Sequence, residues 1–303
     1  LANINKKEDN QNSKYTILTS FYPIYIMTMN ITDGANNIEV LNMADKNVGC
    51  LHDYTLTTTD MKKIENADIF IQNGLGLENF IDKLLNTYSK LKIIDTSVNI
   101  VEKIEDDGIV NPHLWTSIDN NIKQVQEISN ALIENNPENM EIYKSNTEKY
   151  INKLETIKAD YKKLQEVKGK KAVCLNEAFE YFARDIGLEL ITIKTDHNES
   201  TLSADKLKDV INEMKADNVN IIIVDINDNL KNAETIAKET GAQICKLNSA
   251  INGEENKDSY IDIMNENLQI LKKIKEYKGI NIKTVFTINK KGLDALIYSF
   301  FAS

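Results

Sequence analysis

The run Pro137–Lys168, PENMEIYKSNTEKYINKLETIKADYKKLQEVK, decides the architecture of this 303-residue chain. Its apolar side chains Tyr143, Tyr150, Leu154, Ile157, Tyr161 and Leu164 recur mostly every three or four residues, which places them on one face of an α-helix. Proline suits a first helical turn, where its missing N–H would have no partner, so a new helix starts near Pro137. About 30 residues at 1.5 Å each make a rod of about 45 Å, enough to cross a protein of this size. A coiled-coil seam would need a sustained Leu/Ile heptad, and this stripe is rich in tyrosine. The rod is therefore expected to be a spine between two lobes.

On either side of the spine, short β-branched or apolar runs alternate with helical patterns. In the first half the runs are Tyr15–Ser20, Ile38–Met43, Ile69–Gln72 and Leu91–Asp95, and in the second Lys171–Leu175, Glu189–Ile193, Asn220–Val224 and Gln243–Leu247. Helices are expected at Ile24–Ile31, Thr59–Asn66, Leu77–Leu85, Ala204–Ala216 and Leu230–Glu239, with a further helical stretch from Ile118 up to Asn136. Strands and helices alternating at this spacing imply parallel sheets covered on both faces. The expected fold is α/β, with two similar lobes of four mainly parallel strands joined by one long helix. Residues 15–136 form the amino-terminal lobe, 137–168 the linking helix and 169–277 the carboxy-terminal lobe. Residues 278–303 are an extra tail, for which the sequence suggests no role.

Composition narrows the partners. Acidic residues outnumber basic ones 46 to 36, for a net charge of -10, so the chain repels nucleic acid. No run approaches the roughly 20 apolar residues that span a bilayer. Leu1–Tyr15 is polar, and residues 1–14 read as a disordered tether. Such a tether suits a protein anchored to a membrane by a lipid on a cysteine just upstream. Cys50, Cys174 and Cys245 are odd in number and far apart, and read as small buried residues rather than as a disulfide framework. The chain has no nucleophile elbow, HExxH or phosphate-binding glycine loop, which argues against a metal-assisted hydrolase.

The three histidines can each be weighed. His52 lies in Val48-Gly-Cys-Leu-His52-Asp-Tyr54, and His113 in Asn111-Pro-His113-Leu-Trp115; both are loops that lead into helices. Such loops gather beyond the carboxyl ends of parallel strands, where ligands bind. Imidazole is a favoured ligand of zinc and its neighbours. His197, in the polar stretch Thr195–Ser200, reads as a surface residue.

Several segments are similar to the metal-binding solute-binding proteins of zinc and manganese ABC importers, the lipoprotein or adhesin family with a rigid linking helix. They are Thr16–Pro23, His52–Asp60, Ala67–Glu78, Asn111–Trp115, Ala178–Phe182 with Gly187-Leu188, and Ala233–Gly241. The resemblance covers about residues 15–276. It implies four metal ligands in an interlobe cleft, two from each lobe, with His52 and His113 as the first pair. The third position, histidine or glutamate in the family, falls on Asn176, with Glu177 beside it. The fourth, an aspartate in the family, falls on Asn248. The second ligand motif, Asp-Pro-His in the family, here begins with Asn111. Neutral amides donate lone pairs without charge, so this set should hold a bare cation less tightly; Asn176 and Asn248 are equally good helix caps. The implied function is extracytoplasmic capture of zinc or manganese by a monomer and delivery to an ABC permease. The alternative is a diverged relative that serves adhesion or binds a metal complex. The resemblance implies that zinc members often carry a histidine-rich acidic loop between the first two ligands; none separates Asp53 from Asn111, which weakens the case for zinc without establishing manganese.

Overall fold

The computed structural model describes residues 14–44, 51, 54–81, 91–193 and 202–274. The expected tether up to residue 13, the tail from residue 278, His52, Cys50, His197 and the end of the helix expected at Leu77–Leu85 lie outside these residues. The first sheet holds β1 (Tyr15–Thr19), β2 (Ile38–Asn42), β3 (Ile69–Gln72) and β4 (Lys92–Asp95), all parallel, in the order β2-β1-β3-β4. A small antiparallel ribbon follows, β5 (Glu105–Asp106) with β6 (Ile109–Val110). The second sheet holds β7 (Lys171–Cys174), β8 (Glu189–Thr192), β9 (Ile221–Asp225) and β10 (Gln243–Leu247), in the order β10-β9-β7-β8 and again parallel. The two lobes thus share one architecture, a four-stranded parallel sheet flanked by helices. All eight strands start and stop within one residue of the runs named above. Strands buried on both faces must be apolar throughout, and β9, Ile-Ile-Ile-Val-Asp, is buried along its whole length.

The helices are α1 (Tyr22–Ile31), α2 (Thr58–Asn66), α3 (Ile118–Asn135), α4 (Met140–Lys162), α5 (Glu180–Ile186), α6 (Ala204–Ala216), α7 (Lys231–Thr240) and α8 (Ser259–Leu271). Their starts follow from local chemistry. Thr57 and Asp60 form a reciprocal capping box on α2, while Ser117 and Ser203 cap α3 and α6 through their side chains. Among the described residues no helix is long and apolar enough to cross a membrane.

The spine α4 is shorter than expected. It begins after a single 3-10 turn at Pro137–Asn139 and stops at Lys162 rather than Lys168, giving 23 residues and about 34 Å. The chain has only residues 163–170 in which to turn into β7. The Lys163 N–H to Asp160 O and Leu164 N–H to Tyr161 O bonds tighten the last turn and end the helix. Its stripe of Tyr143, Tyr150, Leu154, Ile157 and Tyr161 is the buried face. Near its start Asn146 Nδ2 donates to Ile31 O and Asp33 O, at the end of α1, at 3.0 and 2.8 Å. Near its end Tyr161 OH donates to Met264 O in α8 at 2.6 Å. Helix α1 makes a second tie between the halves: Tyr22 OH donates to Glu254 O and Asn30 Nδ2 to Lys257 O, both at 2.8 Å. One continuous apolar core, holding Ile17 and Ile71 of the first sheet and Ala172 and Ile223 of the second, runs through this junction.

Candidate metal centre

After β6 the chain runs Asn111-Pro112-His113 into a 3-10 turn at Leu114–Thr116, and Ser117 then caps α3. His113 is 4% exposed. Its backbone N–H and its Nδ1 both lie against Asn111 Oδ1, at 2.9 and 2.8 Å. The other end of that amide, Nδ2, donates to Glu177 O at 3.0 Å and to Glu180 Oε2 at 2.9 Å. These acceptors fix which end of Asn111 is oxygen, so His113 Nδ1 carries the proton. The neutral ring then has its lone pair on Nε2, which is the form that ligates a metal.

Three further bonds pin this loop between the lobes. From the first lobe, Asn73 Nδ2 donates to Pro112 O at 2.9 Å. From the loop to the second lobe, Trp115 Nε1 donates to Ser249 O at 2.9 Å, while Tyr260 OH donates to Trp115 O at 2.7 Å. The Trp115 ring meets Phe21 edge-on at 4.8 Å and lies 5.2 Å from the His113 ring. His113 is thus held beside the carboxyl ends of β7 and β10, where an open parallel sheet offers its ligand-binding edge.

The second lobe presents three loops at that edge. Asn176, just past β7, accepts the Ala178 N–H on Oδ1 at 2.9 Å, and its Nδ2 donates to the Asp228 carboxylate at 3.1 and 3.4 Å. Asn248, just past β10, accepts the Ala250 N–H on Oδ1 at 2.8 Å. Its own backbone N–H and carbonyl are tied to the Asn267 amide, both at 2.8 Å. Asn176 thus caps the 3-10 turn Glu177–Phe179, whereas Asn248 makes a local side-chain turn that caps no helix, since the next helix, α8, begins at Ser259. An amide oxygen has two lone pairs, so either bond leaves one to face a cation. Glu177, half-buried, follows Asn176, and its own backbone carbonyl accepts from Asn111 Nδ2.

Sequence reasoning missed the third loop. Asp225 ends β9 and is buried; its Oδ1 accepts from the Asn227 N–H and Nδ2, and its Oδ2 from the Ser249 N–H, at 2.7–2.8 Å. Asp228 lies against Asn176. Burial raises its carboxyl above the usual range, the Asn176 bond opposes this, and the Asp225 charge adds to it. Among the described residues neither aspartate, nor Glu177, nor Glu180, pairs with a lysine or arginine. The signal was in the sequence, as carboxylates at and just beyond the end of a central parallel strand. Cys174 is not part of such a set: burial pushes its thiol up to about 12, and its Sγ lies 3.0 Å from Asn176 O. Burial likewise pushes Cys245 up to about 11. Both are free, buried packing residues. Among the described residues no three His, Cys, Asp or Glu side chains converge on one point.

The first lobe holds its side of the site through a buried acid. Glu78 is 2% exposed and takes the Asn73 N–H at 2.7 Å and the Gly74 N–H at 3.1 Å, which orients Asn73 toward Pro112. Gly74, at φ 88, admits Asp95 where any Cβ would collide with it. Burial pushes the Glu78 carboxyl up to about 7 from an ordinary 4.5, against the pull of these backbone bonds. A carboxyl with a higher pKa folded than unfolded binds its proton more tightly in the fold. Its contribution is full below about pH 4.5 and is lost as the pH rises to about 7, a loss of about 3 kcal/mol at most. Glu78→Gln should remove that slope. Denaturant unfolding of both proteins at pH 4.5 and 7.5 measures it, and an equal pH effect in the two would reject the assignment.

The comparisons with known proteins bear on the family and the fold. Residues 17–274 match the family model of the periplasmic zinc-uptake complex component A, ZnuA. The zinc-binding lipoprotein AdcA of Streptococcus pneumoniae is 29% identical over 287 residues, covering 88% of this chain. The chain spans only 57% of the length of that relative. The high-affinity zinc uptake system protein ZnuA of Bacillus subtilis is 28% identical over 292 residues, with 87% of this chain and 88% of that protein covered. The crystal structure of Zn(II)-bound AdcA from S. pneumoniae superposes with a TM-score of 0.75 at 28% identity, over 88% of this chain and 59% of that one. Matched through both lobes and the spine, the chain belongs to the ZnuA family of periplasmic zinc-uptake components.

Proposed function

We propose that this protein captures a divalent transition metal, zinc or manganese, between its lobes outside the cytoplasm and delivers it to an ABC permease. The observation that carries the reading is His113, a buried imidazole whose Nδ1–H is fixed by Asn111 and whose loop is bonded to both lobes. His52 supplies the second imidazole. Asn176 and Asn248 supply neutral oxygens, and Glu177 and Asp228 supply the negative charge that amides lack. The metal is cargo, and the protein performs no chemistry on it. The relatives whose names specify zinc favour zinc over manganese. Residues 15–136 and 169–277 act as the two jaws and residues 137–168 as the rigid link, while the amino-terminal tether holds a monomer to the membrane through a lipid anchor. Calorimetric titration of metal-free protein with zinc and with manganese, against a competing chelator, is expected to give one ion per chain. Failure to bind either ion would overturn the proposal.

A further inference from the structure

We propose that Asn111 is a positioning residue that couples the contact between the two lobes to the ring orientation and tautomer of His113. Three observations support it. Its Oδ1 receives both the backbone N–H and the Nδ1–H of His113, which fixes the ring in place and puts the lone pair on Nε2. Its Nδ2 reaches the other lobe, where it takes one carbonyl, Glu177 O, and one carboxylate, Glu180 Oε2. The residue is 6% exposed, and its own carbonyl accepts the Tyr181 OH at 2.8 Å, so it cannot move without breaking the interlobe contact.

Only an amide of this length can do both. Its oxygen accepts while its nitrogen offers two donors. Aspartate, the residue at this place in the motif that Asn111-Pro112-His113 resembles, would keep the acceptor arm. Toward the second lobe it would set a carboxylate against the Glu180 carboxylate and the Glu177 carbonyl, with no donor between them. The asparagine thus joins the imidazole of one lobe to the first turn of α5 in the other, and the lobes must be in register for His113 to present Nε2. The last step, presentation to a metal, rests on the proposed metal site; the coupling itself does not.

The test reads the two arms separately in metal-free protein. With only three histidines in the chain, ring 15N spectra, assigned by comparison with His113→Ala, report the tautomer of His113. Wild type is expected to show Nδ1–H. Asn111→Ala should shift the ring to the Nε2–H form that free histidine prefers. Asn111→Asp should keep Nδ1–H but lower the denaturation midpoint, and adding Glu180→Gln, which restores a donor facing the introduced carboxylate, should recover part of that loss. Retention of Nδ1–H in Asn111→Ala would overturn the inference, as would a double variant no more stable than Asn111→Asp. The isosteric aspartate pair keeps the test open if the alanine variant does not fold. Zinc affinity, measured last, should fall by roughly 10–100-fold in Asn111→Ala. A wild-type protein that binds no zinc would count against the metal reading alone, since tautomer and stability are read without metal.

Discussion

Alanine in place of His113 is expected to weaken zinc binding by at least about a hundredfold, or roughly 2.8 kcal/mol. The size follows from comparison. Removing a residue that merely orients a metal-bound histidine costs about 10–100-fold, so removing the imidazole itself should reach or exceed the upper figure. The loss should not come from unfolding. His113 packs at 5.2 Å from Trp115 and bonds to Asn111, and neither contact is large enough to carry the interlobe core. Metal-free His113→Ala should therefore melt within a few degrees of wild type but lose most of the stabilisation that zinc gives. Thermal melts with and without zinc, for His113→Ala and for His52→Ala, decide this. If both variants keep the full wild-type shift, the metal is not held by these imidazoles, and Asp225 and Asp228 become the first ligands to test.

The fold was legible in the sequence to a degree that the site was not, and the reason is physical. Strands of a parallel sheet are buried on both faces, so runs such as Ile69–Gln72 and Asn220–Val224 are almost continuously apolar and stand out from amphipathic neighbours. The tyrosine stripe of α4 was equally plain, because one helix face carries it. The ribbon β5–β6 was overlooked even though Asp107-Gly108, both at positive φ, is a strong hairpin signal; its strands are two residues long and have no periodicity to read. At the site, His113 was visible as a proline-flanked loop histidine. What holds it was not. Asn111 meets Glu177 across 66 residues and Trp115 meets Ser249 across 134, and no local pattern encodes such a contact. Asp225 and Asp228 escaped for the opposite cause: aspartate after a strand is common as a turn residue, and only the absence of a basic partner among the described residues marks these two.

Trp115 should be the most costly residue to truncate. It is fully buried and belongs to the core that both lobes share. Its ring packs edge-on against Phe21, beside α1 of the first lobe, and its Nε1–H reaches Ser249 O in the second. Truncation of a buried tryptophan to alanine costs about 3–5 kcal/mol through lost transfer energy and the cavity left behind. Trp115→Ala is therefore expected near the top of that range, because the Ser249 carbonyl also loses its donor. Trp115→Phe separates the two contributions. It keeps most of the apolar volume and removes the N–H, so the unsatisfied carbonyl should cost about 1–3 kcal/mol. Both values are read from denaturant unfolding of the metal-free protein. A cost below about 1 kcal/mol for Trp115→Ala would place it at the level of an ordinary substitution. In that case α1 and α4 carry most of the interlobe junction, and the Trp115 contacts add little to it.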